Sequence, residues 1–311
     1  APMPRLTLAV LASAYLLGCA GAAKPTPEPD PTPPLPVTAA ASSAPEPAVT
    51  VSDPGACGEL GCRTFDKVDA AIGVVLAAKP AVLGIGEAHA QKGSEHLLST
   101  TKRFTEQILP TVAGRTSFLA VELLLPNPKC QKVTKQVAKQ QKPVTEPQAE
   151  TNQNEYVLLG KRAKELGIVP DLLRPSCEDL TRITQAGAGD IGVMLETIAK
   201  LTREVAVAEV DRNKKAGKDQ MVIAYGGALH NDVEPRAGRE AWTYGPDLAK
   251  ATGDRYVELA LIVPEYIQDT ETWTSLPWVK HYVGSKLGDK VVLYQPTPRS
   301  FVLVFPKTSG K

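Results

Sequence analysis

A chain of 311 residues with 43% hydrophobic residues is expected to fold around one main core. Its net charge of +1 argues against the broad basic surface of a nucleic-acid-binding protein. Beyond residue 18 no apolar run reaches the roughly 20 residues that a membrane-spanning helix needs.

The first 18 residues have the pattern of an export signal. Arg5 supplies a positive start, Leu6–Leu17 is a short apolar run, and Leu16-Leu17-Gly18-Cys19 resembles the bacterial lipobox. That resemblance implies cleavage before Cys19 and acylation of its thiol. We therefore predict a signal peptide over residues 1–18 and an envelope lipoprotein, anchored most readily in the outer membrane and facing the periplasm or the cell surface. An ordinary secretory signal cut within residues 20–23 is the alternative.

Residues 19–54 are predicted to form a disordered tether. They are rich in Pro, Ala, Thr and Ser and have almost no large apolar side chains. Such a segment cannot bury enough surface to offset the entropy lost on ordering. The remaining residues, 55–311, are predicted to form a single domain.

Four cysteines remain in that domain, an even number that suits an exported protein. We predict two disulfides, Cys57–Cys62 and Cys130–Cys177. Zinc binding by the same four residues is the rival interpretation, but their spacing is unlike that of zinc ribbons.

The pattern of apolar residues in the first half of the domain predicts alternating helices and strands. In chain order these are a helix over Phe65–Ala78, a strand over Ala81–Ile85, a helix over Ser94–Leu109 and a strand over Ser117–Leu123. Residues 129–154 are rich in Lys, Gln and Thr. We predict that they form a polar insertion on the surface, helical in part.

The second half continues the alternation and ends in strands. The predicted elements are a helix over Glu155–Leu166, a strand over Ile168–Leu173, a helix over Ile191–Ala216, strands over Met221–Tyr225 and Tyr256–Val263, and a hairpin of Val291–Tyr294 with Phe301–Phe305. Strands alternating with long helices indicate parallel βαβ units. The predicted fold is therefore a three-layer α/β domain with a mainly parallel sheet.

Four side chains that can carry chemistry stand at or just after these strands. Glu87 and His89 follow the first strand, Glu122 interrupts the second, and His230 follows the Met221–Tyr225 strand. Parallel strands open their carboxyl ends onto one edge of a sheet, so we expect the four side chains in one crevice. Two Glu and two His suit either divalent metal binding or acid–base catalysis. His96 is a further candidate, if its helix faces the crevice.

These motifs resemble those of a known superfamily. Leu83-Gly84-Ile85-Gly86-Glu87-Ala88-His89 is similar to the G-E-x-H motif of the ChaN-like haem-binding uptake proteins, which are grouped with the Tiki proteases, the TraB group and the erythromycin esterases. Ala120-Val121-Glu122 resembles the acidic second-strand motif of that superfamily, and Tyr225-Gly226-Gly227-Ala228-Leu229-His230 resembles its late glycine–histidine motif. The resemblance implies that these Glu and His positions line one crevice.

Two functions follow as expectations. The Tiki and esterase branches imply a hydrolase, here one that depends on a metal held by Glu87, His89, Glu122 and His230 or that uses these residues to activate water. The ChaN branch implies a lipoprotein that binds haem or iron without turnover, with Tyr225 as a possible ligand. A scaffold without an active site is a third interpretation. The expected ligand is a small molecule, haem or a peptide, and the membrane is contacted through the lipid anchor.

Overall fold

The computed structural model describes residues 60–187 and 190–308, except for the side chain of Val144. The predicted signal peptide, the lipidation site Cys19, the tether and Cys57 lie outside these residues. Those predictions, including the Cys57–Cys62 bridge, stay predictions.

In the part of the chain that the structure describes, eight strands form one mixed, mostly parallel sheet. In chain order the strands are β1 (Cys62–Phe65), β2 (Val82–Glu87), β3 (Thr116–Leu124), β4 (Val169–Leu173), β5 (Met221–Gly227), β6 (Tyr256–Ile262), β7 (Val291–Thr297) and β8 (Ser300–Val304). Their order across the sheet is β1-β7-β8-β6-β2-β5-β3-β4. The predicted hairpin is present as the antiparallel pair β7–β8, and β1 pairs antiparallel with β7. The other pairs are parallel.

Ten α-helices connect these strands in the described residues. They are α1 (Val68–Ala77), α2 (Thr100–Arg103), α3 (Leu109–Val112), α4 (Gln131–Thr145), α5 (Asn152–Glu165), α6 (Cys177–Ala186), α7 (Gly192–Lys215), α8 (Gly245–Ala251), α9 (Glu271–Thr274) and α10 (Val279–Val283). A π-helical segment, Phe104–Ile108, joins α2 to α3. None of these helices is both long and apolar enough to cross a membrane.

Helices cover both faces of the sheet, which confirms the three-layer prediction. On one face, α1, the π segment and α5 pack against side chains such as Leu83 and Ile85 of β2. On the other face, α7 and α8 pack against Val82 and Val222, and α10 packs against β7 and β8. Because both faces are covered, the central strands β2 and β5 are buried at every position, as continuous apolar strands require.

The helix predicted from Ser94 begins instead at Thr100. Ser94 closes a turn, because its hydroxyl donates to the Gln91 carbonyl oxygen at 2.6 Å. The residue that caps the helix is Ser99, whose side chain accepts from the Lys102 N–H at 3.0 Å. Farther along, Pro110 lacks the N–H that an α-helical bond to residue 106 would need, and the chain widens there into the π segment.

The polar insertion is mostly one helix, α4, on the outside of the molecule. Its Val137 is buried and packs against Leu180 of α6 and Ile198 of α7. The predicted Cys130–Cys177 disulfide is present, with the two Cα atoms 5.8 Å apart, and it fastens the start of the insertion to the first residue of α6.

We expect removal of this disulfide to weaken the fold. The bridge joins residues 47 apart in sequence, so its loss frees a long loop in the unfolded chain. A variant carrying Cys130→Ala and Cys177→Ala should lose about 2–4 kcal/mol of unfolding free energy in urea. Reductant should lower the urea midpoint of the wild type more than that of the double variant. An equal effect on the two proteins would contradict a stabilising role for this bridge.

Candidate functional site

Three neighbouring strands bring the predicted residues to one edge of the sheet. The strands β2, β5 and β3 are adjacent and parallel, so their carboxyl ends open together. Glu87 is the last residue of β2, Glu122 lies near the end of β3, and His230 lies three residues beyond β5. The pairing of β3 with β4 shifts register between Val121 and Leu124, and an irregularity of this kind redirects side chains such as that of Glu122.

Glu87 and His89 form the first pair. Nδ1 of His89 lies 2.9 Å from Oε1 of Glu87, so the ring donates its Nδ1–H to the carboxylate. Glu87 is buried and also accepts hydrogen bonds from the hydroxyls of Tyr156 (2.6 Å), Thr101 (2.7 Å) and Tyr225 (2.5 Å). Burial and the charge of Glu87 hold the pKa values of both tyrosines well above their usual range, so they remain donors. These donors fix the carboxylate, and the carboxylate fixes the imidazole ring.

This arrangement leaves Nε2 of His89 free to react. The side chain of His89 is 26% exposed, whereas that of Glu87 is 2% exposed. Burial lowers the pKa of His89, but the hydrogen bond and charge of Glu87, with a smaller effect from Glu122, outweigh it and raise the pKa to about 8. The ring therefore exchanges a proton close to neutral pH, which suits a general acid or base.

Glu122 and His230 form the second pair, which is more deeply enclosed. Nε2 of His230 lies 3.3 Å from Oε1 of Glu122, and the side chain of His230 is 2% exposed. Its Nδ1 lies 2.6 Å from the Trp242 carbonyl oxygen, which can only accept, so Nδ1 carries a hydrogen. Oε2 of Glu122 accepts the Gly227 N–H at 2.6 Å.

The second pair is held as an ion pair. Burial raises the pKa of Glu122, but His230, His89 and the Gly227 N–H together outweigh burial and lower it. Burial lowers the pKa of His230, but the charge of Glu122 and two hydrogen bonds outweigh it and raise it. Between pH 4.5 and 6.5 the proton therefore resides on His230 and the negative charge on Glu122.

The two pairs meet at Gly226 and Gly227. A Cβ atom built on Gly227 would lie 3.2 Å from Nε2 of His89 and 3.7 Å from Oε2 of Glu122, so both atoms border the same small space. A Cβ atom on Gly226 would lie 2.1 Å from Oε2 and 2.8 Å from Cβ of Glu122. Gly226 is therefore required for the close approach of Glu122 to the strand, and Gly227 leaves room for the ring of His89; neither glycine has an unusual φ angle.

We expect Gly226→Ala to disturb the site and the fold together. The new methyl group would displace Glu122 from the Gly227 N–H and from His230, and we expect a loss of about 1–3 kcal/mol in unfolding free energy. The matched control is Gly73→Ala in α1, where nothing lies within 4 Å of the added methyl group. This control should gain about 0.5–1 kcal/mol. Urea unfolding checks both, and a Gly226→Ala protein as stable as wild type would contradict the tight contact.

The end of the polar insertion is bonded to the loop that carries His89. The Ala90 carbonyl oxygen accepts from the Ala149 N–H at 2.8 Å and from Nδ2 of the buried Asn152 at 3.1 Å. Two residues farther along the loop, the Lys92 N–H donates to the Pro147 carbonyl oxygen at 3.0 Å. The helix α5 follows the insertion directly and carries Tyr156. The end of the insertion is therefore bonded to the backbone of the His89 loop, while Tyr156 is bonded to the Glu87 carboxylate.

Two other predicted residues lie in different surroundings. Tyr225 belongs to the site, but it is 1% exposed and its hydroxyl donates to Glu87, so the predicted role as a haem ligand does not match its position. His96 is exposed, lies in the turn-rich segment before α2 rather than in a helix, and takes no part in the hydrogen bonds of the two pairs.

Sequence reasoning missed Tyr156, Thr101 and Trp242 as parts of the site. Thr101 lies on α2, 14 residues after Glu87, and Tyr156 lies on α5, 69 residues after it. Their side chains reach Glu87 only because of how these helices pack on the sheet. Trp242 contributes a backbone carbonyl oxygen, for which its side chain gives no signal.

Of the four side chains predicted to bind a metal, Glu87 is not available as a ligand in this geometry. Two ring nitrogens and the Glu122 carboxylate converge, but both oxygens of Glu87 are already bonded to hydroxyls. In residues 60–187 and 190–308 no group of three or more His, Cys, Asp or Glu side chains is placed to hold a metal ion. We therefore derive no step through a metal.

Comparisons with known proteins give little guidance. No protein-family model and no curated protein matches the chain. A solved structure described as "The structure of the type III effector HopBA1" matches with 12% identity over 81% of this chain and 99% of that chain, at a TM-score of 0.37. A likeness at that score and identity carries no argument about function.

Proposed function

We propose that the chain is a hydrolase of acyl compounds, esters or amides, in which His89 activates water. The observation that supports this proposal is the oriented pair Glu87–His89, with Nδ1 bonded to a fixed carboxylate and Nε2 open to the space beside Glu122. A carboxylate that orients an imidazole in this way is the arrangement by which hydrolases prepare a general base.

The proposed reaction uses these residues for proton transfer. Neutral His89 takes a proton from a water molecule through Nε2 while the water oxygen forms a bond to the acyl carbon. The resulting imidazolium, stabilised by Glu87, then gives that proton to the leaving alcohol or amine as its bond to the acyl carbon breaks. Glu122, which is bonded to His230 and to the Gly227 N–H, places a second negative charge near the imidazolium and helps to stabilise it.

A screen of chromogenic esters and anilides tests this proposal. The wild-type chain should hydrolyse at least one of them faster than the His89→Ala variant prepared in the same way. Adding a chelator to both proteins shows whether the rate depends on a metal ion. If no substrate distinguishes the two proteins, the proposal fails. A Soret absorption band in the purified wild type would then favour the alternative, a haem-binding lipoprotein without turnover.

A further inference from the structure

A row of lysines follows one face of α4. Lys132, Lys135, Lys139 and Lys142 are spaced three, four and three residues apart, which places them on the same side of an α-helix, and all four are exposed. The exposed Lys129 in the preceding turn adds a fifth positive charge. From residue 126 to residue 145 the sequence contains no Asp or Glu. We call these five residues the lysine face.

The lysine face is held outward by the packing of the opposite side of the helix. Val137 is 3% exposed and packs in a core formed with α6 and α7. The Cys130–Cys177 disulfide and the hydrogen bond from Nδ2 of Asn127 to the Pro175 carbonyl oxygen fasten the start of the insertion. The helix therefore presents its charges on a fixed support.

No carboxylate of the described residues forms an ion pair with the lysine face. Elsewhere lysines do have such partners: Lys290 pairs with Asp66, and Lys214 lies 4.0 Å from Asp211. Four uncompensated charges on α4 and a fifth in the turn before it, in a chain whose net charge is only +1, concentrate positive potential on this surface.

We propose that the lysine face is a contact surface for a bilayer that contains anionic phospholipids. The segment from 126 to 145 has no Arg, Trp, Tyr or Phe, the residues that dominate protein–protein contacts. Lysine is a hydrated point charge that needs no defined partner geometry, which suits a layer of phosphate headgroups. From Lys132 to Lys142 the row extends about 15 Å along the helix, which spans several headgroups.

Vesicle co-sedimentation tests this proposal with the full chain carrying Cys19→Ser, so that no acyl chain is attached. The vesicles are phosphatidylcholine alone and an equal mixture with phosphatidylglycerol. The protein should bind the mixed vesicles more tightly, and salt that shortens the Debye length to about 3 Å should release it. Changing Lys132, Lys135, Lys139 and Lys142 to Gln should weaken binding to the mixed vesicles by roughly 1,000-fold.

The matched control replaces four exposed lysines on other elements, namely Lys161, Lys164, Lys218 and Lys250, by Gln. This control variant loses the same number of positive charges but keeps the lysine face, so it should retain most of the binding. Both variants keep the apolar run near the N-terminus. Circular dichroism shows that both variants are folded. Equal binding of the Cys19→Ser protein to the two kinds of vesicle, or equal losses in the two lysine variants, would overturn the proposal. Binding to polyglutamate without binding to mixed vesicles would also overturn it and indicate an acidic protein partner.

Discussion

Replacing His89 by Ala is expected to reduce the hydrolytic rate by roughly 10²–10⁴-fold, the usual contribution of general acid–base catalysis. The variant lacks a partly exposed imidazole that a buried carboxylate orients through Nδ1. Because the neutral ring is the base, kcat/KM of the wild type should rise with pH and level off above about 8. The variant should lose that dependence. Added imidazole should restore part of its rate, since a small base can occupy the space that the side chain leaves.

The control for this experiment is His281→Ala, which removes a half-buried histidine of α10 that takes no part in the two pairs. Its rate should equal that of the wild type. If His89→Ala retained the wild-type rate and pH profile, His89 would have no part in the reaction.

The same group should be visible in the stability of the protein, without any substrate. The pKa of His89 is raised in the fold from 6.5 to about 8, so its contribution is fully present below pH 6.5 and is lost as pH rises through about 8. That loss amounts to about 2 kcal/mol. The His89→Ala variant should keep only the smaller loss that the raised pKa of His230 causes over the same pH range. This measurement tests the charge of His89 without any need for a substrate.

The sequence was sufficient to predict the central strands and the edge where the site lies. Strands such as β2 and β5 are apolar at nearly every position because helices cover both faces of the sheet. Such continuous apolar segments can be recognised in the sequence alone. Glu87, Glu122 and His230 stood out because polar groups rarely end or interrupt such strands. Parallel topology then brought these groups to one edge.

Other features depend on information that periodicity does not contain. Ser94 and Ser99 are both suited to cap a helix, but only Ser99 does so, because the hydroxyl of Ser94 is used in a turn. The strand β1 has only four residues and was missed, as were α6 and α8, which have few large apolar residues. The hydrogen bonds that orient Glu87 and His230 come from Tyr156 on α5 and from a backbone carbonyl oxygen, and only the folded structure shows them.

Breaking the buried pair Glu122–His230 is expected to have the largest effect on stability. His230→Gln keeps a side chain of similar size but removes the positive charge, which leaves the Glu122 carboxylate enclosed without its counter-ion. We expect a loss of about 3–5 kcal/mol in unfolding free energy at pH 6. Glu122→Gln should cost less, because His230 can then lose its Nε2 proton while it keeps the Nδ1 hydrogen bond to the Trp242 carbonyl oxygen.

The two single variants and the double variant form a cycle that isolates the interaction, with an expected coupling of about 1–3 kcal/mol. The lowered pKa of Glu122 contributes stability above pH 4.5, which is lost as pH falls through that pKa. The raised pKa of His230 contributes stability below pH 6.5, which is lost as pH rises through that pKa. The coupling should therefore be largest between pH 4.5 and 6.5 and smaller on either side. Coupling near zero at pH 6 would mean that the two side chains are neighbours without a stabilising charge interaction, and the ion pair assigned to them would have to be abandoned.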